Sequence, residues 1–573
     1  MEMVKLEPHE ELKARGIVEI FDDRLGNAGF VSHQWVAQDH PDPDFKQMQV
    51  LKDAMKHVLT SQGVVPLDFV TETCIPTAKS IPFQEFQSKP LFLWYDYFSV
   101  PQLEKLEGYI SAGEGGNNQV KAINSIPAYI AKCRYFFALC PTLDCHAEGR
   151  VLNGTTWSRR GWCRLERASR ELSQHDTWVL IQGSTTLRVV GTALSFVTGP
   201  VGEGEFSVEG DRAKLAAVMM TIVKRKLLLS LQAGDLSSYR RHLNLQSVHL
   251  RGFNMEGVVD IVPDKPGSGA DDVVAHFLHR MGLRSVDHKD AAGWRPLHYA
   301  ALSGNLQLIE ALLKQRADPN RRTSKDEPKL GFPPWVSPLD LAVFYRHNDA
   351  ARLLIASKAS VRGGILTAMQ HACMSDNAEG IRFLSKNDRK SLGRNLFGAT
   401  ALEVAGSYGA WEAMEELLRQ VRFGRLEISG ALHAAMILHG GSARMVERLV
   451  SLRADVNFQY HPHRNLSRLG RVIFGGKSLQ HRFGRATVLS EVAYHSYGCT
   501  PLMATLQTAQ YEGAAALIAA GARLDIRNCR GFTAADFARG QPIPEFLQAG
   551  LAGDPEECER VTSLALSEDY FEI

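Results

Sequence analysis

The sequence predicts two architectures in one chain: an open parallel α/β sheet near the N-terminus and an all-α helical solenoid in the C-terminal half. Strand-like and helix-like segments alternate over residues 28–183. From about residue 290 a helix-pair pattern recurs with a spacing near 33 residues. The composition is that of a globular chain: 573 residues, 45% apolar and 22% charged, a length that allows roughly three or four domains.

The N-terminal elements follow in order. GFVSHQW at 29–35 reads as a short strand ending in polar residues. PDPDFKQMQVLKDAMKHVL at 41–59 places Phe45, Met48, Met55 and Leu59 on one helical face, with Asp42 as cap and Pro43 as first residue. Residues 60–89 read as an extended loop. PLFLWYDYF at 90–98 is a continuous apolar run, as expected of a strand covered on both faces. VKAINSIPAYIAKC at 120–133 reads as a helix interrupted at Pro127, and RYFFALC at 134–140 as the third strand. SRRGWCRLERASREL at 158–172 is a helix, and TWVLIQG at 177–183 the fourth strand. This order predicts a parallel sheet with helices on both sides. Residues 184–286 form a helical connector centred on the apolar segment 214–231, which has too many apolar positions for a free linker.

In the C-terminal half, RPLHYAALSGNLQLIEALL at 295–313, SPLDLAVFYRHNDAARLLI at 337–355 and TPLMATLQTAQYEGAAALI at 500–518 carry the recurring pattern most clearly. Equivalent positions Leu297, Leu339, Met369, Leu402, Leu432, Leu502 and Ala535 lie 42, 30, 33, 30, 70 and 33 residues apart. Pro at the first helical turn gives up no bonded N–H, and Gly304 and Gly409 stand where the chain reverses. The pattern resembles ankyrin repeats over about 250 residues, 287–540, with insertions at 321–336 and 459–498. That resemblance implies protein partners on the concave face. TAADFA at 533–538 lacks a full second helix and is expected to cap the array. The insertion 321–336 reads as a plain loop. Residues 459–485 hold six Lys/Arg, three His and no acid: either a contact for an anionic partner or a solvated loop. Residues 541–573 form an acidic tail, to which that loop could be attracted.

Net charge is +2, so the chain is not polybasic overall and nucleic acid is not an expected partner. No apolar run approaches the roughly twenty residues of a membrane span. The charged first residues predict no secretory signal, and nine cysteines suit reduced thiols. The expected location is therefore cytoplasmic. Cys140, Cys145, His146 and Cys163 lack zinc spacing, so no metal site is expected. Neither a phosphate-cradling P-loop nor a GxGxxG unit is present.

In an open parallel sheet the binding crevice lies beyond the carboxyl ends of the strands. Ser32, His33 and Asp96 end strands there, and the helix at 158–172 would bring Arg160, Trp162 and Glu166 to the same edge. FVSHQW, KAINSIPAYIAKCRYFFALC and WCRLE at 162–166 are similar to motifs of Toll/interleukin-receptor (TIR) domains. YDYFSVPQ at 95–102 and RGWCRLE at 160–166 resemble motifs of the related fungal heterokaryon-incompatibility (HET) domain. The likeness covers about 155 residues, the core at 28–183 of a TIR/HET-like domain bounded at 1–183. Many TIR domains cleave NAD at the nicotinamide–ribose bond with the glutamate of this motif, whereas others only assemble signalling complexes. The resemblance therefore implies NAD as substrate rather than a bound cofactor. Glu166 would be the catalytic carboxylate, with Ser32, His33, Asp96, Arg160 and Trp162 binding substrate and Arg160 meeting a phosphate at the helix N-terminus. A fixed anion would stabilise the oxocarbenium-like transition state of N-glycosidic cleavage. The alternative is a non-enzymatic scaffold that self-associates through this domain. Either way the expected setting is intracellular signalling or defence.

Overall fold

The computed structural model describes residues 3–75, 77–101, 115–192, 194, 195, 197, 199–255, 257, 261, 262, 272–325, 332–387 and 392–568. Five strands form the main sheet: β1 (Asn27–Ser32), β2 (Leu91–Trp94), β3 (Tyr135–Leu139), β4 (Trp178–Ile181) and β5 (Leu187–Val190), in the order 2-1-3-4-5. β1 pairs in parallel with both β2 and β3, and β3 with β4. The sheet is mixed rather than wholly parallel, because β5 runs antiparallel to β4. The connection from Gln182 to Thr186 is far too short for the crossover that a parallel strand requires.

Both faces of the sheet are covered, which explains its unbroken apolar strands. Helix α1 (Lys46–Thr60) packs Met48, Leu51 and Met55 against Val31, Phe137 and Val179. Helices α2 (Gly115–Lys132) and α3 (Gly161–Glu171) cover Phe30, Phe136 and Leu180 on the other face. Gly29 is required at the centre, since a Cβ there would stand 2.5 Å from the Phe137 ring.

Four element boundaries depart from expectation. The strand expected at 90–98 stops at Trp94, and Asp96 opens a short helix, Asp96–Ser99, just beyond the strand end. Phe45 takes a left-handed conformation, so α1 starts at Lys46; Asp42 still caps it, accepting from the Met48 amide at 2.7 Å. Pro127 lies inside the continuous helix α2 rather than interrupting it. The helix expected at 158–172 is two helices, Gly154–Arg159 and α3, separated by extended Arg160.

Helix α4 (Gly210–Gln232) is the core of the connector. It packs Leu215, Val218, Met219 and Ile222 against Leu165 and Ala168 of α3 and Leu172 at its C-terminal end. Helix α5 (Leu236–Asn244) then meets the first repeat, where the buried Arg241 guanidinium lies over Trp294 and 3.9 Å from Asp290.

From Pro296 onward, helix pairs stack in series: 296–303 with 306–314, 338–344 with 348–356, 368–374 with 378–387, 401–407 with 411–420, 425–435 with 443–451, and 501–508 with 511–519. Their first turns are closed by Ser337, Thr367 and Thr400, each capping the amide three residues on. Gly304 and Gly409 are left-handed at the reversals. The fragment at 534–538 is not the end of the array, because 545–552 supplies its second helix. The acidic tail is not free either: α8 (Glu556–Glu568) buries Cys558 and Val561 in the array core. Residues 569–573 of the tail lie outside the described residues. In the first insertion Phe332 and Val336 are core residues, with 326–331 outside the described set. The basic insertion is helical: α6 (Arg468–Arg482) packs on α7 (Val488–His495).

Candidate functional site

The order 2-1-3-4 reverses direction between β1 and β3, so the carboxyl end of β1 is the topological switch point where such sheets bind ligands. Ser32 ends β1 there, fully buried. Its hydroxyl accepts from the Trp157 indole N–H at 3.1 Å and donates to Glu166 Oε2 at 2.5 Å. The two residues are 134 positions apart in sequence and meet because α3 crosses the sheet edge beside β1.

Burial pushes the Glu166 carboxyl up to about 8. The nearby Asp96 charge adds to this effect, and the Ser32 bond opposes it. Beside Glu166, His33 Nε2 lies 3.3 Å from Asp96 Oδ1, and the Trp35 indole donates to Asp96 Oδ2 at 3.0 Å. Burial lowers the His33 pKa, outweighing the favourable Asp96 charge. The Cys163 thiol donates to the His33 carbonyl at 3.4 Å, tying α3 to the end of β1. Ser32, His33, Asp96 and Glu166 therefore converge as the strand-end argument expects.

Trp162 and Arg160 do not join that cluster through any contact seen in the structure. The Trp162 indole donates to Asp211 on α4 at 3.2 Å, packing between sheet domain and connector. Arg160 is the residue before α3, and its guanidinium donates to the Ser207 hydroxyl. The α3 N-terminus expected to meet a phosphate is occupied: the Gly161 amide donates to the Glu205 carbonyl at 2.8 Å, and the Phe206 ring lies on Gly161. Sequence reasoning missed Trp157 and Trp35, the indoles that orient Ser32 and Asp96. Trp157 sits in no motif and Trp35 only closes FVSHQW, and the fold alone brings their N–H groups to these partners.

A cavity of about 550 Å³ opens on the other face of α3, lined by Arg164, Arg167 and Glu171 from that helix. None of Ser32, His33, Asp96 or Glu166 lines it. Its far wall is made by the turns joining the two helices of successive repeats, including Tyr345, Asp376 and Trp411. Around it the sheet domain is fastened to the array. Asn153 Nδ2 donates to Glu512, Arg560 pairs with Asp144, and Glu72 accepts from Lys477 Nζ at 2.7 Å, Thr487 Oγ1 at 2.8 Å and the Leu489 amide at 3.2 Å. The basic insertion thus meets Glu72 of the sheet domain rather than the acidic tail.

Residues 292–324 match the ankyrin repeat family. The helical region at the C-terminus carries ankyrin repeats. Among curated proteins, a match of 27% identity over 155 residues is found with transient receptor potential cation channel subfamily A member 1 of Homo sapiens, covering 26% of this chain. The match spans 13% of the length of that relative. Among solved structures, the human ASB11 ankyrin repeat domain has 23% identity and a TM-score of 0.32, covering 45% of this chain and 97% of its own. The ankyrin repeat domain of Bcl-3, described as a unique member of the IkappaB protein family, has 22% identity and a TM-score of 0.28, covering 43% and 95%. Among the described residues, no helix is long and apolar enough to cross a membrane.

Proposed function

We propose that this chain is a protein-binding ankyrin array that carries its own α/β domain as a docked unit. The observation that carries this reading is the division of the array's edges. The inter-helix turns at 344–346, 374–376 and 408–411 face the sheet domain and connector across the cavity. The opposite connections, between one repeat and the next, keep exposed side chains such as Lys358, Arg362 and Arg523. Those tips are the surface on which a protein partner would rest, since the first helices behind them are buried. The test is cross-linking of the native protein in extract. Charge reversal at Arg362 and Arg523 should remove the cross-linked partner, and reversal at Lys314 on an outer helix should leave it. Loss through Lys314 alone would overturn the assignment of the surface.

A second reading, catalysis at Glu166, is favoured by one observation: a carboxyl at the switch point, bonded to Ser32 and poised near neutrality. In the NAD-cleaving version suggested by the TIR and HET likeness, the ionised Glu166 would stabilise positive charge developing on the ribose. Ser32, His33 and Asp96 would flank the sugar, with Trp162 and Arg160 reached only if the 205–211 segment moves. Cleavage should then rise with pH as Glu166 ionises through about 8. Nicotinamide release from NAD by the full chain at pH 7 and 9 tests it. Release that is absent at both, or unchanged in Glu166→Gln, leaves the domain as an assembly module, whose self-association would appear as a larger species on size exclusion.

A further inference from the structure

Helix α6 in the basic insertion presents an apolar stripe that the described residues leave exposed. Val472 is 72% exposed, Leu479 52%, Leu469 42% and Ile473 37%; Phe483, which closes the helix, is 75% exposed. At roughly 100° per residue these five side chains fall within about 120° of the helix circumference. Arg468, Arg471 and Arg482 fill roughly the next 60° and are all exposed. Arg464 and Arg485 extend the basic side at either end. No carboxylate lies between Asp455 and Glu491. Lys477, the remaining cation, borders the stripe on the side away from the arginines and is already held by Glu72 of the sheet domain.

We infer that α6 is a docking face for an anionic phospholipid surface. A ridge of five apolar side chains with a cationic flank has the chemistry of an interfacial helix: the apolar stripe enters the acyl boundary while the arginines hold phosphates. The long arginine stems keep their guanidinium groups at headgroup level when the stripe is inserted. The shape also favours a bilayer over a folded partner. The stripe lies open: a Cβ at Gly476, within it, or at Gly475, on the basic flank, would meet nothing within 4 Å, so no neighbouring wall there makes it a groove for a peptide. The helix is anchored from behind by α7 and by the Glu72 contacts, so it meets the membrane already folded, without paying the ordering cost of a free segment.

The test uses the full-length protein and co-sedimentation with extruded vesicles, either phosphatidylcholine alone or phosphatidylcholine with about a third phosphatidylserine. Binding is expected to the anionic vesicles only, and to weaken as salt shortens the Debye length. Arg468→Ala, Arg471→Ala and Arg482→Ala combined should lower partitioning by roughly a hundredfold, at about fivefold per arginine. Val472→Ser with Phe483→Ser should abolish it while circular dichroism stays unchanged, since both side chains are exposed. Equal binding to both vesicle types, no binding to either, or unchanged binding by the serine variant overturns the inference. So does a dimer in sedimentation equilibrium that the serine variant dissolves without any vesicle binding, because the stripe is then an interface between copies. Capture of an acidic polyglutamate peptide in place of anionic vesicles also overturns it, in favour of a protein partner.

Discussion

Replacing Glu166 by Gln separates the chemistry of this residue from its place in the fold. Gln keeps the length of the side chain and an oxygen that accepts from the Ser32 hydroxyl. It removes a carboxyl whose pKa is raised from an ordinary 4.5 to about 8. Because the folded-state value lies above the unfolded one, the native protein holds a proton that the unfolded chain releases. Its contribution to stability is complete below about pH 4.5 and is lost as pH rises towards 8. At about 1.4 kcal/mol per pH unit the full shift would be worth roughly 5 kcal/mol. The side chain is only half-buried, so water reduces this to about 2–3 kcal/mol. The variant should therefore match the parent near pH 5 and become more stable than it by about 2–3 kcal/mol near pH 8.5. Thermal melts followed by tryptophan fluorescence at pH 5, 7 and 8.5 read this as a melting-point gap that opens with pH, at about 2–4 °C per kcal/mol. A gap that is constant across that range, or that favours the parent at high pH, refutes the burial argument. In the same variant, any NAD cleavage should fall by roughly two orders of magnitude.

Gly161→Ala places a methyl group against the Phe206 ring and should cost about 1–3 kcal/mol, seen as faster amide exchange over 205–232. Gly304→Ala combines a φ of +71° with a clash against the His347 ring, and should lower stability by about 2–4 kcal/mol in chemical denaturation of the array. Glu72→Ala strips the shared acceptor from Lys477, Thr487 and Leu489; amide exchange across α7 should quicken by about five- to a hundredfold, the equivalent of about 1–3 kcal/mol.

The repeat array was legible because most pairs repeat the same local chemistry, a Ser/Thr cap or Pro ahead of an apolar helix, as at Ser337, Thr367, Thr400 and Pro501. The first four strands were legible as apolar runs, buried on both faces in β1, β3 and β4 and partly buried in the edge strand β2. β5 was not: four residues after a tight turn carry no crossover signal, and pairing alone defines them. The helices of the basic insertion escaped notice for a different reason. The apolar side chains of α6 face outward, so they resemble scattered residues of a loop rather than the stripe of a core helix. The acidic tail misled in the same way, since charges on the outside of α8 masked Cys558 and Val561 on the inside. At the candidate site, strand-end logic and motif likeness pointed to one sheet edge for Ser32, His33, Asp96 and Glu166; the pairing of Ser32 with Glu166 and of His33 with Asp96 is visible only in the structure. They could not anticipate that Trp162 and Arg160 turn to Asp211 and Ser207, because those partners come from the connector, which carries no motif.

Hydrogen exchange on the full chain tests whether the array holds its α/β domain as a docked unit. The segments that meet across the contact, 143–152 with 556–568 and 69–75 with 488–495, should be protected in the intact protein. Protection in all four should fall together when Glu72→Ala and Arg560→Ala are combined, while β1 and β3 within the sheet stay protected. Solvent-like exchange in these segments of the unmodified protein, or loss confined to the substituted sides, would contradict a docked domain and with it the assignment of the opposite edge to a partner.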